Sequence, residues 1–232
     1  MNTQSHLFRG ILTVFFLTAT PCAFALDFRI LNWDGNDLDL KYQHKSEKIS
    51  LYTFEGALSP FYHYSEAKPL TLFKEKMIKE EVVKVPAMTT EVPAGLTQAI
   101  LLIVPTSPDR SSYTALWIDD SPLIRPAGTL EFRNLSKHSV ALQVAGQEMN
   151  LVPQAVQQLK FDPALKRVAF KAAVQIGAEW KLVTANPVPV RPNYRALIIL
   201  RDARPSETAA VQIISFYDRP PTVDELAVLP PQ

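Results

Sequence analysis

The sequence predicts an all-β protein built as two tandem antiparallel β-sandwich domains that arise from an internal repeat. Three observations carry this expectation. Apolar residues recur with period two, no long stretch keeps the i, i+3, i+4 stripe of an amphipathic helix, and the pattern that starts at Phe28 starts again at Leu130.

The repeat is read by setting FRILNWDGNDLDLKY, from Phe28, against LEFRNLSKHSVALQV, from Leu130. Phe28 then meets Leu130, Ile30 meets Phe132, Asn32 meets Asn134, and Leu38, Leu40 and Tyr42 meet Val140, Leu142 and Val144. After QHKSEK gives way to the shorter AGQE, Ile49 and Leu51 meet Met149 and Leu151; a loop absorbs such a length change at small cost. Tyr62 and Tyr64 then meet Leu159 and Phe161, and Leu70 and Leu72 meet Val168 and Phe170. QAILLIVPTSPD matches RALIILRDARPS, and YTALWIDDSP, from Tyr113, matches VQIISFYDRP, from Val211. The collinear order implies about seven strands per copy, in the first at residues 27–32, 38–43, 48–54, 61–65, 69–74, 98–104 and 112–119. KEKMIKEE, the best helical candidate, is flanked by β-type runs and reads as a polar hairpin.

Residues 1–25 read as a secretory signal: Arg9 precedes the apolar run ILTVFFLTAT, which ends at the small-residue site Ala23-Phe24-Ala25. Cleavage near Ala25 implies a periplasmic or extracellular location, and the apolar run is too short to span a bilayer as a helix. The expected domains cover residues 26–121 and 122–232, joined through SPLIRPAG at 121–128 with its two prolines and one glycine. Leu123 and Ile124 of that linker are expected in the interface between the domains. The second domain ends in the proline-rich DRPPTVDELAVLPPQ.

Charge and cysteine usage exclude several functions. Cys22 is the only cysteine and leaves with the signal, so no internal disulfide is expected. Once Arg9 is lost, 23 basic residues face 23 acidic ones without a long block of either sign. A neutral chain has no electrostatic motive to bind nucleic acid or an anionic membrane. The histidines that remain, His44, His63 and His138, lack zinc-ligand spacing, so neither a metal nor another cofactor is expected. Gly-x-Ser-x-Gly, P-loop and His-Glu-x-x-His motifs are missing. His63, between Tyr62 and Tyr64 with Glu66 close by, is the residue that a hydrolase reading would use, with Glu66 or Asp120 as the carboxylate. Asp119 and Asp120 are adjacent, but neighbours on a strand face opposite sides. Asn134-Leu135-Ser136 is a glycan sequon in form, yet its counterpart Asn32 lacks the hydroxyl residue, which favours a turn role common to both copies. Trp33, Trp117 and Trp180 are spaced singly, as core or rim residues are.

The Asn32 and Asn134 turns, each followed by a short alternating strand, make the chain resemble uncharacterised secreted bacterial proteins with tandem immunoglobulin-like or transthyretin-like sandwiches. That resemblance implies fold and export, not an activity. PTSPDRSSYTALWIDDSP, with Asp109, Arg110 and Ser112, also resembles a segment of periplasmic pilus-assembly chaperones, although Ser111 stands where those have an acidic residue. This second resemblance implies a basic residue, Arg110 or Arg125, that holds a subunit's terminal carboxylate between the domains. The expected function is a noncatalytic binding or structural module whose partner is another envelope or surface protein.

Overall fold

The computed structural model describes residues 25–33, 38–54, 57–107, 109–203 and 209–222. The expected signal and the tail beyond residue 222 lie outside the described residues. The first half contains β1 (Leu26–Asn32), β2 (Lys41–His44), β3 (Glu47–Ser50), β4 (Tyr62–Tyr64), β5 (Leu70–Ile78), β6 (Glu81–Thr90), β7 (Gln98–Pro105) and β8 (Tyr113–Asp119). The second contains β9 (Thr129–Asn134), β10 (Val140–Val144), β11 (Gln147–Leu151), β12 (Val156–Lys160), β13 (Arg167–Val168), β14 (Phe170–Ile176), β15 (Glu179–Thr184), β16 (Val188–Pro189), β17 (Arg195–Asp202) and β18 (Val211–Asp218). Among the described residues there is no helix, hence none long and apolar enough to cross a membrane.

The repeat is visible in the strand orders. The sheet β4-β1-β7-β8 has its counterpart in β12-β9-β17-β18, and β3-β2-β5-β6 has its counterpart in β11-β10-β14-β15. Each half is a sandwich of one sheet of each kind. The sheets are not wholly antiparallel, because β1 pairs with β7 and β9 with β17 in parallel. Every connection reverses the chain, so the seventh traverse runs in the direction of the first. In the second half the fifth and sixth traverses are broken in two. Val168 pairs with Val188 and Ala172 with Thr184, while Pro187 and Pro189 supply no amide donor to join those ladders.

Two details of the repeat differ from the sequence reading. KEKMIKEE does form a hairpin turn, at Lys79 and Glu80, both with positive φ, but the run after it builds the additional strand β6. The two-residue length difference does not lie in QHKSEK. Tyr42 pairs with Ile49 and Leu142 with Met149, around two-residue turns at Lys45-Ser46 and Ala145-Gly146. Tyr42 therefore corresponds to Leu142, and the extra residues fall between β1 and β2.

Each half has its own core. Phe28, Ile30, Tyr42, Leu72 and Leu101 anchor the first, and Phe132, Leu142, Phe170, Ile198 and Leu200 the second. A third cluster belongs to both: Leu31, Ile100, Leu102 and Ile118 pack against Leu197, Ile199 and Phe216. These residues lie on the opposite faces of β1, β7, β8, β17 and β18 from the two sandwich cores, so the corresponding sheets stand back to back. That is why AILLIV and ALIIL are continuous apolar runs: a strand buried on both faces loses alternation. Trp33 extends the contact, its ring 5.1 Å from the Arg201 guanidinium.

The linker departs from expectation. Leu123 is 88% exposed and Ile124 48%, while Arg125 is 1% exposed. The turn that returns the Ile124 and Arg125 amides to the Ser121 carbonyl throws the apolar pair outward and folds the arginine in. Gly128, with φ 77°, then admits the chain to β9 beside Tyr194.

Separate cores joined by a shared layer predict the behaviour of the halves. Residues 26–121 and 127–232, expressed apart, should each give β-type circular dichroism and a cooperative urea transition, with midpoints below that of the intact chain. Two disordered fragments would show that the shared layer is indispensable to either core.

Candidate functional site

The largest concentration of interacting charge lies between the back-to-back sheets. Arg29 projects from β1 on the face opposite Phe28 and Ile30, and Glu131 occupies the corresponding place on β9, as the pairings Arg29 with Ile100 and Glu131 with Leu197 show. Asp120 follows β8 and corresponds to Asp218 of β18. Asp120 is fully buried and contacts three guanidinium groups: Arg29, Arg125 and Arg195, the last at 2.8 Å. Asp218 accepts from Arg29 at 2.7 Å and from Arg195 Nη2 at 3.0 Å. Glu131 is 3.2 Å from Arg125 Nε and also pairs with Arg133. Three buried arginines thus face three carboxylates, with the partly buried Arg133 as a fourth guanidinium beside Glu131.

Arg195 shows what the arrangement does. Its Nε donates to Asp218, its Nη1 to the carbonyls of Asp120 and Arg125, at 3.1 and 2.5 Å, and its Nη2 to both aspartates. A guanidinium has five N–H groups, and these contacts occupy all of them. Nothing remains for a ligand, so Arg195 ties the end of β8, the linker and β18 together. Burial works against the Asp218 carboxylate, but Arg29 and Arg195 outweigh it and hold the group below the usual aspartate value. Burial lowers Arg195 from its ordinary value despite the two aspartates, whereas for Arg29 the aspartates overcome burial and raise it.

A second cluster sits at the other edge of the first half. His44, at the end of β2 and 1% exposed, has Nε2 2.9 Å from Ser65 Oγ. His63, on β4, has Nδ1 2.9 Å from Asp27 Oδ1. The imidazole rings are 5.5 Å apart and nearly perpendicular. Burial, then His63 and Lys45, push the His44 imidazole below its ordinary value. The carboxylate orients one histidine and the hydroxyl meets the other, so the groups do not form the hydroxyl, imidazole, carboxylate line of nucleophilic catalysis. His44 Nδ1, where an orienting acceptor would belong, is buried without a partner.

The sequence candidates are therefore redistributed. His63 pairs with Asp27 and not with Glu66 or Asp120: Glu66 accepts the Lys45 amide at 2.7 Å and pairs with Lys68, and Asp120 belongs to the buried network. Asp119 turns away from Asp120 and accepts the Ser121 amide at 2.9 Å. Arg125 is enclosed with Asp120 and Glu131, leaving no open cleft for a terminal carboxylate. Arg110 lies in the β7–β8 turn, at the far end of that hairpin from Asp120, where Asp109 binds Ser111. Asn134 is 0% exposed; its Nδ2 donates to the His138 and Leu151 carbonyls and its Oδ1 accepts from Ser136. That is the turn role expected of it, and a glycan has no access to that nitrogen. Trp33, Trp117 and Trp180 are dispersed to the interface, the first sandwich's seam and an exposed strand. No described group of three or more His, Cys, Asp or Glu could hold a metal.

Arg29, Glu131, Arg195 and Asp218 were not singled out from the sequence. The available signal was charge inside strands otherwise apolar on both faces, together with the Asp120 and Asp218 match across the repeat.

Breaking the network should be costly because it strands buried charge. Asp120→Asn is expected to lower unfolding stability by about 3–5 kcal/mol in urea titrations, and Asp218→Asn by less, since the latter side chain is 10% exposed. The depressed Asp218 value gives a signed pH dependence. Its contribution is complete above the ordinary aspartate range and is lost as pH falls through the lower folded value, so acid destabilisation below about pH 4 should be steeper in the native protein than in Asp218→Asn.

No protein-family model matches the chain, and no curated protein matches it.

Proposed function

We propose that the protein is a noncatalytic exported module that binds another envelope or surface protein. The observation that carries this reading is where large apolar side chains remain in solvent. On the β5–β6 hairpin Met77 is 68% exposed, Ile78 47%, Val82 60% and Val83 37%; on the corresponding β14–β15 hairpin Trp180 is 48% exposed and Leu182 68%. Equivalent hairpins of both copies carry this surface, and a cluster of exposed apolar side chains suits recognition of another polypeptide. Back-to-back packing aims the two outer sheets away from each other, so one molecule presents both hairpins. The buried charges support a structural role for the interior, since Asp120 and Asp218 take their ion-pair partners from both halves and the linker.

Photo-crosslinking residues placed at Met77, Val82 and Leu182 of the protein in its native envelope should give covalent adducts with a common partner, and a crosslinker at exposed Leu123 should not. Adducts of equal yield from all four positions, or none from the hairpins, would overturn the reading. Export is checked separately: amino-terminal sequencing of the protein from the periplasmic or extracellular fraction should begin at Leu26.

A further inference from the structure

The two sandwiches close differently along one side. In the first half β6 lies alongside β8, and Trp117 of β8 bridges them: its indole packs edge-on against Phe28, at 5.8 Å between centroids, and its Nε1 donates to Thr90 Oγ1 at 3.1 Å. Trp117 pairs with Leu101, and its counterpart, which pairs with Ile198, is Ser215. The Thr90 counterpart follows from the ladders. A register shift comes after Leu72, opposite Met88, and after Ala172, opposite Thr184; Thr90 lies two residues beyond Met88, and Asn186 two beyond Thr184.

Ser215, Thr184 and Asn186 all line a cleft of about 360 Å3 between β18 and the β15–β16 segment. The cleft occupies the place that the indole fills in the first half. Its walls are Phe170, Val183, Val188, Val211 and Ile213, and none of the described residues lining it carries a formal charge. Asn186 supplies a side-chain carbonyl where Thr90 supplies the acceptor for the indole N–H. A recess that has apolar walls, is lined also by Thr184, Asn186, Gln212, Ser215 and Tyr217, and lacks a counterpart of the Trp117 indole is suited to an aromatic guest, because the guest supplies the dispersion attraction that the walls otherwise lack.

We propose that this cleft is a binding site for an uncharged planar aromatic ring of indole size. The ring comes from a free aromatic compound or from the side chain of a partner polypeptide. The inference does not depend on the hairpin surfaces.

The test uses the full mature chain with two probes, indole and the peptide acetyl-Ser-Trp-Ser-amide, followed by methyl NMR. Binding with a dissociation constant of roughly 1 mM or tighter is expected for at least one probe, with shifts centred on the methyls of Val183, Val188, Val211 and Ile213. Binding of both identifies the ring alone as the determinant; binding of one identifies its source as free or polypeptide-borne. Ser215→Trp should fill the cleft and weaken binding at least tenfold, whereas Trp117→Ser should open the matching recess and add a second equivalent of bound ring. Should either variant fail to fold, the methyl map of the native protein decides. No binding by either probe, shifts centred elsewhere, or unchanged affinity in folded Ser215→Trp would overturn the proposal.

Discussion

Three arginines around one inaccessible carboxylate hold the two sandwiches in register. Asp120 lies where the first half ends, and the groups it engages come from β1, the linker and β17. An isolated charge at that depth would be strongly unfavourable, so each member of the group depends on the others. Apolar contacts between Ile100, Leu102, Leu197 and Ile199 supply the area of the interface, but such contacts tolerate sliding. The guanidinium pairs do not, because the directional hydrogen bonds they make with Asp120 and Asp218 require one arrangement. The linker follows from the same constraint. The Arg125 side chain reaches Asp120 and its carbonyl receives Arg195, which leaves Leu123 and Ile124 on the outside.

The interface uses the same sheet face of both copies, yet its members have diverged. Arg29 corresponds to Glu131 and Gln98 to Arg195, while Asp120 and Asp218 remain alike. Charge reverses at the first of these pairs and appears only in the second copy at the next, so the two faces carry different charges within a single chain. Divergence of the same type appears at the seam, where Trp117 and Ser215 occupy corresponding positions of β8 and β18. There it changes a closed edge into an open one.

Two histidines show how topology creates neighbours that spacing conceals. His44 and His63 belong to different sheets of the first sandwich, and a long connection separates them in the chain. The contact arises because β2 and β4 end at the same side of the sandwich, bringing Ser65 and Asp27 to one imidazole each. Desolvation of His44 is a consequence of that meeting.

The sequence by itself determined the strand class, the repeat and most strand positions, because alternation and apolar runs are local properties set by which faces of a strand are buried. Phe28, Ile30 and Tyr62 could be assigned inward from period two alone, and Asn134 could be assigned to a turn from its match with Asn32. Tertiary structure decided the parallel pairings, the burial of Arg125 over Leu123, the exchange of Glu66 for Asp27 beside His63, and the ionic group between the sheets. Each depends on which distant strand faces another. A charge such as Arg29 reads as a solvent-facing alternate until a second sheet covers it, and only the fold supplies that sheet.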